Sequence, residues 1–474
     1  MCQWAMIYLY RLCQNLHQEI LTTFMSETVL KKLEVLSAAA KYDVSCVSSG
    51  SSRKEQKGGL GNASPSGVCH SFTGDGRCVS LLKILYTNNC IYDCSYCVNR
   101  CSNDIPRASF AESEVEELTM HFYLRNYIEG LFLSSAIFRS PDYTMERLVQ
   151  VVKNLRVIHR FNGYIHLKAL PGADHQLITE AGKYVDRLSA NIELPTRESL
   201  HTLAPQKDGA VILGTMKSMS TEITRYKDEK KRFKSTPSFI PAGQSTQLIV
   251  GASPESDSTI LTLSEALYRK LSLRRVFYSA YVPVTTDPRL PLMSSPPLQR
   301  EHRLYQADWL LRFYGFTAGE LFSCGRQNLE EGCDPKVSWA LSHLECFPLE
   351  INSAPYEMLL RVPGIGVRSA RKIVSARRHH LLQGEDLKKM GLTLKRACYF
   401  ITAAGKELHQ DAMNDVIMRK NLIRSGVNDD GGSRGKKKRE ISRRAGGYEQ
   451  LTLFPLESEE STAAEYICTA HGEL

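Results

Sequence analysis

The sequence lacks any apolar run long enough to cross a bilayer, and it has no readable export signal. The nearest candidate, WAMIYLYRLC close to the N-terminus, is interrupted by Arg11 and lacks both a basic flank and a small-residue cleavage site. We therefore expect a cytoplasmic protein with no membrane partner. In a reducing compartment, clustered cysteines are more often metal ligands or catalytic groups than disulfides, so the 14 cysteines indicate metal or thiol chemistry.

The positive charge of the chain is small in total and concentrated in its C-terminal part. The formal net charge is +9, yet residues 361–396 alone hold ten Lys and Arg against two acidic residues. Residues 431–444 hold seven more against one. The rest of the chain is slightly acidic, so a polyanionic partner is expected to bind the C-terminal part.

The first two-thirds of the chain alternates short apolar segments with longer segments of helical periodicity. At 474 residues the chain is too long for one ordinary core, and two folded domains are expected. The alternation predicts an α/β fold with a parallel sheet and crossover helices, closed or partly closed as a barrel. The predicted strands are SLLKILYT, GLFLSSAIF, YIHLKAL, RLSANIEL, AVILGTM, TQLIVGA and RVFYSAYVPV.

Changes in composition and periodicity divide the chain into segments. The last of these has few apolar residues and is rich in Gly, Lys, Arg, Glu and Ser, which is typical of a disordered tail. The predicted segments are an N-terminal extension (1–30), a lead-in segment (31–79), the barrel (80–295), a helical connector (296–350), a small all-α hairpin domain (351–405) and a basic tail (425–474).

Four cysteines lie within twelve residues, directly after the first predicted strand, in the stretch NNCIYDCSYCVNRC. Cys90, Cys94 and Cys97 form a C-x3-C-x2-C pattern. Three thiolates suit a [4Fe-4S] cluster, which has four irons and would keep one iron open for another ligand. Cys101 could supply a fourth thiolate, which would instead make a closed cluster or a structural zinc site.

Two further groups of residues are candidates for chemistry. Cys69, His70 and Cys78 lie upstream in GVCHSFTGDGRC, where they could hold a second metal, or Cys69 could relay an electron or a hydrogen atom. Lys168 and His166 alternate with apolar neighbours on the third predicted strand. Either one could point into the barrel as an acid or base, or both could face solvent.

A compact helical hairpin is predicted from INSAPYEMLLRVPGIGVRSARKIVSARR. Gly364 and Gly366 flank Ile365, whose side chain fills the junction, and they allow backbone N–H groups at the start of the second helix to face outward. Such N–H groups, together with the positive end of the helix, form an anion site. The alternative is a hairpin used only for packing or protein contact. The basic residues of the second helix are Arg368, Arg371 and Lys372.

Two resemblances concern this C-terminal part. The hairpin is similar to the helix-hairpin-helix motif, which holds a DNA backbone without reading its sequence. The segment QLTLF in the tail resembles the pentapeptide by which bacterial repair and replication proteins bind the sliding clamp. The clamp-binding residues would be Gln450, Leu451, Leu453 and Phe454.

The cysteine pattern, with Tyr96 directly before Cys97, resembles the signature of radical S-adenosylmethionine (SAM) enzymes. Together with seven other segments, this pattern is similar to the family of DNA modification/repair radical SAM proteins over about residues 31–402. These segments are CHSFTGDGRCVSLLK, RNYIEGLFLSSAI, GYIHLKALPGA, ANIELPT, AGQSTQLIVGA, REHRLYQADWLLRFYGF and LLRVPGIGVRSARKIV. The resemblance implies a partial (β/α) TIM-like barrel, a [4Fe-4S] cluster, SAM, and a 5′-deoxyadenosyl radical that abstracts hydrogen from a substrate. An electron donor such as flavodoxin or ferredoxin would be needed.

The same resemblance assigns cofactor contacts by position. Tyr96 would lie beside the adenine, and Asn191 and Glu193 would contact the ribose or the carboxylate. Gly251 would let the backbone approach the adenine. Ser134 and Ser135 stand where related enzymes have a Gly-Gly-Glu motif that holds the methionine amino group, although the glycines are absent here.

Three functions remain open at this point. The first is a radical SAM enzyme that acts on DNA, with Cys69 and Lys168 as candidate catalytic residues. The second is a radical SAM enzyme that acts on RNA. The third is a DNA-binding protein whose cluster is structural or redox-sensing, and four protein ligands that include Cys101 would support it.

Overall fold

The computed structural model describes residues 27–40, 81–284, 287–322, 325–409, 418 and 421–422. They belong to two compact units. Of the described residues, the first unit contains those up to Ser253 and Tyr268–Pro296, and the second contains Pro254–Leu267 and those from Pro297 onward. Within the described ranges, no helix combines the length and the apolar character needed to span a membrane.

Residues 27–296 alternate strands with helices almost throughout. The elements are α1 (Glu27–Ala40), β1 (Leu81–Leu85), α2 (Glu112–Leu124), β2 (Gly130–Ser134), α3 (Pro141–Val157), β3 (Tyr164–Lys168), α4 (His175–Gly182), β4 (Arg187–Ser189), α5 (Arg197–Leu203), α6 (Gly209–Arg232), β5 (Gln244–Val250), α7 (Asp257–Leu271) and β6 (Arg275–Ala280).

The described strands β1 to β6 form one sheet in which every neighbouring pair is parallel. Their spatial order is their chain order, and at least one helix follows each of the first five strands. In this part of the chain β6 is not paired with β1, so the barrel is open. The predicted partial (β/α) barrel is therefore confirmed.

The central strands are buried along their length, which is why they read as continuous apolar runs rather than alternating ones. All five residues of β2 are buried. Parallel strands covered by crossover helices have no solvent face, and their sequences reflect this. Gly130 begins β2 where a Cβ atom would lie 2.3 Å from the carbonyl oxygen of Tyr164 on β3, so a side chain would push these two strands apart.

One predicted strand is wrong. AVILGTM is not a strand but the first part of the 24-residue helix α6, which Asp208 caps by accepting a hydrogen bond from the Ala210 N–H at 2.8 Å. The buried residues of this stretch follow a spacing of three and four, at Ile212, Thr215 and Met216. An apolar run of seven residues fits a buried strand and a helix face equally well, and only the packing partner decides between them.

The second unit is largely helical. Its remaining elements are α8 (Leu298–Phe313), α9 (Ala318–Leu321), α10 (Pro335–Ser342), a 3-10 turn (Leu344–Cys346), β7 (Leu349–Glu350), α11 (Tyr356–Leu359), α12 (Val367–Ala376), α13 (Gly384–Lys389), α14 (Leu394–Ala397), β8 (Ile401–Ala403) and β9 (Lys406–Glu407).

The hairpin region differs from the all-α expectation by a small sheet of described strands in the order β7-β8-β9. The carboxylate of Glu350 on β7 organises it by accepting hydrogen bonds from the Thr402 hydroxyl at 3.0 Å and the Gly405 N–H at 2.9 Å. These strands are two or three residues long, too short for a recognisable periodicity in the sequence.

The burial pattern of α6 gives a stability prediction. Replacing buried Ile212 with Ala removes core contacts and leaves a cavity, so we expect the free energy of unfolding to fall by about 2–4 kcal/mol. The matched change Leu213→Ala lies on the exposed side of the same helix and is expected to cost less than about 0.5 kcal/mol. Urea denaturation measures both losses. Comparable losses at the two positions would contradict the helical packing.

Candidate functional site

The carboxyl ends of the barrel strands surround one cavity in the first unit. Its volume is about 200 Å³. Because the strands are parallel, the segments that follow them emerge at the same edge of the sheet, where ligands bind in such folds. Each strand contributes to the lining at or after its carboxyl end, through Cys90, Ser135, Lys168, Asn191, Ile249 and Ala280 respectively.

The three thiols of the C-x3-C-x2-C pattern all line this cavity. Cys97 N–H donates to the carbonyl of Cys94 at 3.0 Å, in the turn that brings the second and third cysteines to the same side of the loop. Cys101, by contrast, is exposed and is not part of the lining. The structure thus separates the fourth cysteine of the stretch from the other three.

Within the described part of the chain, the three thiols do not surround a position for one metal ion. Among the described residues, no three His, Cys, Asp or Glu side chains are grouped to hold one metal ion. A structural zinc needs four ligands around one ion, whereas thiolates that hold an iron–sulfur cluster bind different irons. Burial raises the pKa of Cys94 and raises that of Cys97 to about 12, so both are neutral thiols at pH 7 unless a metal stabilises the thiolates.

Hydrogen bonds hold the cysteine loop against the end of α5. Ser95 lies between the second and third cysteines, and both its N–H, at 2.8 Å, and its hydroxyl, at 3.0 Å, donate to the carbonyl oxygen of Leu203. The N–H of Asp93 donates to the side-chain carbonyl of Gln206 at 3.3 Å. The loop is therefore positioned by the segment that follows β4.

Arg107 holds the loop from its other side. Its guanidinium donates to the carbonyl oxygens of Asn88, Asn99, Arg100 and Asn103 at 2.6 to 2.9 Å. Four backbone oxygens of the irregular loop thus accept hydrogen bonds from one side chain. The loop thereby gains a fixed shape without regular secondary structure.

An ion-pair network joins the loop to the segment after β6. Arg100 donates to Asp93 at 2.7 Å and to Asp287 at 2.9 Å, and Asp287 also accepts from Arg289 at 2.6 Å. The hydrogen bond from Arg100 lowers the pKa of Asp93, and that from Arg289 lowers the pKa of Asp287. Both carboxylates stay ionised well below neutral pH, so the network persists over the physiological range.

A partly buried lysine that the sequence analysis missed lines the cavity. The ammonium of Lys207 donates to a carboxylate oxygen of Glu193 at 2.7 Å and lies 3.5 Å from the hydroxyl of Tyr96. Burial alone would lower the pKa of Lys207, but the negative charge of Glu193 reverses this and holds the pKa above its usual value. Desolvation raises the pKa of Tyr96 well above the ordinary range, so its hydroxyl is neutral.

Glu193 reaches the lysine from an unusual backbone conformation. Its φ of 66° lies in the left-handed region, which is costly for a residue with a side chain. Its N–H donates to the carbonyl of Gln247, and its own carbonyl accepts from the N–H of Ile249. These two bonds to β5 hold the residue in place and aim its carboxylate at Lys207.

Of the other predicted cofactor residues, two line the cavity and two do not. Asn191 and Ser135 line the cavity, with the Asn191 amide 3.5 Å from Gln247 Oε1, whereas Ser134 is buried in β2 outside the lining. Gly251 follows β5 with a φ of 89° and is also outside the lining. Of these residues, Ser135 and Asn191 join Tyr96 and Glu193 around one space.

Of the two candidate acid–base residues on β3, one lines the cavity and the other is buried within the sheet. Lys168, at the carboxyl end of the strand, lines the cavity. His166 is buried within the sheet, where its Nε2 lies 2.9 Å from the hydroxyl of Ser189 on β4. Cys69, His70 and Cys78, and also Gln450, Leu451, Leu453 and Phe454, lie outside the described residues.

The helical hairpin in the second unit has an ordered turn. Gly364 has a φ of 85°, and a Cβ atom there would lie 3.2 Å from the backbone nitrogen of Ala397, so glycine suits both the conformation and the close approach. Gly366 caps α12, and Ile365 between the glycines is buried. The exposed basic residues on the first two turns of α12 are Arg368, Arg371 and Lys372.

The buried pair in the cavity wall gives a second prediction. Lys207→Met leaves the mostly buried Glu193 carboxylate without its counter-ion, and we expect a loss of about 3 kcal/mol in the free energy of unfolding. Adding Glu193→Gln removes the unpaired charge, so the double variant is expected to lose less than the sum of the single changes. Urea denaturation of the four proteins measures this coupling.

The matched control for that cycle is a surface pair. Lys183 and Glu180 form an ion pair on the exterior, and Lys183→Met is expected to cost less than about 1 kcal/mol. Simple additivity of Lys207→Met and Glu193→Gln would contradict the assigned interaction.

No family model and no curated protein matches this sequence. The fold is similar to the hydrogenase maturase HydG, at 13% identity over 48% of each chain with a TM-score of 0.37. It is also similar to methylornithine synthase PylB, at 16% identity over 48% of this chain and 60% of that one with a TM-score of 0.38. The cobalamin-dependent SAM radical enzyme OxsB matches at 10% identity over 73% of this chain and 55% of its own, with a TM-score of 0.30. The chain thus spans about half to three-fifths of the length of these proteins.

Proposed function

We propose that this protein is a radical SAM enzyme that acts in DNA modification or repair in the cytoplasm. The observation that carries the proposal is the convergence of three cysteine thiols with Tyr96 and Glu193 on one cavity at the carboxyl edge of the partial barrel. A [4Fe-4S] cluster bound at these thiols would supply one electron for the reductive cleavage of SAM to methionine and a 5′-deoxyadenosyl radical, and that radical would abstract hydrogen from the substrate.

The roles of the lining residues follow from their positions. Cys90, Cys94 and Cys97 hold the cluster, and the adjacent Tyr96 borders the adenine with its neutral ring. Because Ser134 is buried in the sheet, Ser135 is the better placed of the two serines to contact the methionine amino group. The loop contacts from Arg107 and Ser95 keep the thiols in place without the help of the cofactor.

Polar contacts to the rest of the cofactor come from the segment after β4. Asn191 and Glu193 contact the ribose or the carboxylate of SAM, and Lys207 orients Glu193 by holding its carboxylate. Gly251 shapes the backbone at the carboxyl end of β5, on the adenine side. Lys168 is the candidate acid or base within the cavity, and Cys69 remains a candidate relay outside the described residues.

The alternative of a DNA-binding protein with a structural or redox-sensing cluster needs a fourth protein ligand. Cys101 is the nearest candidate in sequence, but it is exposed and lies outside the cavity lining. A cluster held by three thiolates keeps one iron open, which is the arrangement that cofactor binding requires. The position of Cys101 therefore favours the enzyme.

The hairpin is the proposed site for the nucleic acid. Gly364 and Gly366 shape the turn so that the N–H groups at the start of α12 can receive a phosphate, and exposed Arg368, Arg371 and Lys372 add positive charge. Contacts of this kind fix position on a strand and carry no base identity. Because the hairpin binds the phosphate backbone of the nucleic acid, duplex DNA is favoured over RNA as the partner.

Two protein partners complete the proposal. A flavodoxin or ferredoxin would supply the electron that reduces the cluster. The bacterial sliding clamp would bind the tail segment QLTLF, which lies outside the described residues.

The cysteine assignment predicts a selective loss of activity. After anaerobic reconstitution with iron and sulfide and reduction with dithionite, the protein is expected to release 5′-deoxyadenosine from SAM. Cys94→Ala removes one of three cluster ligands and is expected to lose both bound iron and cofactor cleavage, measured by iron assay and chromatography.

Cys101→Ser is the matched control in the same loop. It is expected to keep its iron content and its cofactor cleavage, since Cys101 lies outside the cavity. A variant that lost the cluster, or a fully reduced cluster in the unaltered protein that never cleaved SAM, would instead support the structural-cluster function.

The hairpin assignment predicts a change in salt dependence. Each phosphate contact releases counterions, so Arg368→Ala with Arg371→Ala is expected to weaken duplex DNA binding and to reduce the slope of log K against log salt by about two. Fluorescence anisotropy over a salt series measures the slope. Arg225→Ala, which changes an arginine on the surface of α6, is the control and is expected to leave the slope unchanged. An unaltered slope in the hairpin variant would refute the assignment.

A further inference from the structure

Two large aromatic side chains are exposed side by side on α8 in the second unit. Trp309 and Phe313 are 41% and 47% exposed, and their ring centroids are 4.3 Å apart. They lie one helical turn apart and therefore share one face of the helix. Together they present an apolar, planar surface to solvent, which we call the aromatic platform.

An arginine of the same helix stabilises the aromatic platform. The guanidinium of Arg312 lies 4.8 Å from the ring centroid of Phe313 and 5.8 Å from that of Trp309. Its Nε donates to the buried carboxylate of Asp308 at 2.7 Å, which holds the guanidinium in place. The two rings are thus held in a defined geometry, so little side-chain freedom remains to be lost when a ligand stacks on them.

The aromatic platform is next to the turn of the hairpin. Tyr314 directly follows Phe313 at the C-terminal end of α8 and carries a hydroxyl group. That hydroxyl would lie 3.2 Å from a Cβ atom at Gly366, the residue that caps α12. The residue that follows the platform therefore reaches the start of α12.

A buried lysine fixes this junction. The ammonium of Lys336 lies 4.6 Å from the ring centroid of Tyr314 and donates to the carbonyl oxygen of Ile365, in the hairpin turn, at 2.6 Å. Lys336 thus contacts both the residue beside the platform and the turn itself.

We propose that the aromatic platform stacks an unpaired base of a nucleic-acid strand whose backbone is held at the hairpin turn. The proposal rests on the proposed function of the hairpin. The charge of the surroundings identifies the occupant, because the exposed basic residues of α12 attract a polyanion, and nucleotides combine a phosphate with a planar base. Every base has a π-face, so stacking of this kind is independent of sequence, and Arg312 adds a cation–π contribution.

The aromatic platform and the hairpin turn together indicate which nucleic-acid structure would bind. Bases inside a duplex are already stacked on each other and offer no free face to Trp309. A strand that meets both sites therefore has unpaired bases beside its bound phosphates, as at an overhang, a gap or an extruded nucleotide. Chemistry on a base likewise requires that the base leave the stack.

The test compares two probes on the full-length protein by fluorescence anisotropy. One probe is a blunt DNA duplex, and the other is the same duplex with a short single-stranded overhang. We expect the overhang probe to bind about tenfold more tightly than the blunt one. Trp309→Ala with Phe313→Ala is expected to remove this difference and leave blunt-duplex affinity unchanged, whereas Trp309→Phe keeps an aromatic face and most of the difference.

A second readout reports stacking directly. Trp309 is one of three tryptophans in the chain, and its fluorescence is expected to fall on binding the overhang probe. The quenched component is expected to be missing in Trp309→Phe, even though that variant still prefers the overhang. Phe233→Ala, which removes an exposed aromatic residue in the first unit, is the control and is expected to change neither readout.

The outcomes separate this inference from the proposed function. Equal affinity of the unaltered protein for the two probes, or an undiminished preference in the double alanine variant, would overturn the platform and leave duplex binding by the hairpin intact. Failure to bind either probe would overturn both. An RNA overhang that binds as well as a DNA overhang would support the platform, since stacking does not involve the sugar.

Discussion

The parallel direction of the six described barrel strands is the constraint on which the candidate site depends. In a parallel sheet all carboxyl ends lie at one edge, so residues as distant in the chain as Cys90 and Ala280 are brought around one cavity. The strands themselves are buried and contribute little chemistry. Most of the polar groups come from the segments that follow the strands, while Lys168, Gln247 and Ser279 come from the strands themselves.

Irregular segments at such an edge need their own stabilisation. The cysteine loop has no regular secondary structure, and Arg107, Ser95 and Arg100 supply its order by binding backbone oxygens and carboxylates. A loop held in this way can present thiols whose pKa values are unfavourable for the free thiolate. The fold thereby positions the three thiols, and the positive charge of a bound cluster's irons would stabilise them as thiolates.

The second unit combines a hairpin turn with an exposed aromatic surface. Its hairpin turn relies on Gly364 for a backbone conformation that other residues adopt at a cost, and on Ile365 for anchorage in the core. Lys336 and Tyr314 then connect this turn to the exposed rings on α8. A backbone site and an aromatic surface are thus built side by side from segments that are separate in the sequence.

Several features were determined by the sequence alone, because they depend on local periodicity and spacing. The strand–helix alternation, the compact cysteine pattern and the glycine-flanked hairpin turn belong to this group. The seven-residue run AVILGTM was predicted wrongly, since its length does not distinguish a strand from a helix face. The short strands β7 to β9 were missed for the related reason that they carry no periodicity.

Other features were decided only by the tertiary structure. The pairing of Lys207 with Glu193, the exclusion of Cys101 and Ser134 from the cavity, and the closeness of Tyr314 to Gly366 have no local signature. Each depends on which distant segments pack together. That packing decides which charged groups are desolvated and which aromatic rings stay exposed to solvent. Local propensity does not contain that information, because desolvation and long-range contact arise only once the chain has folded.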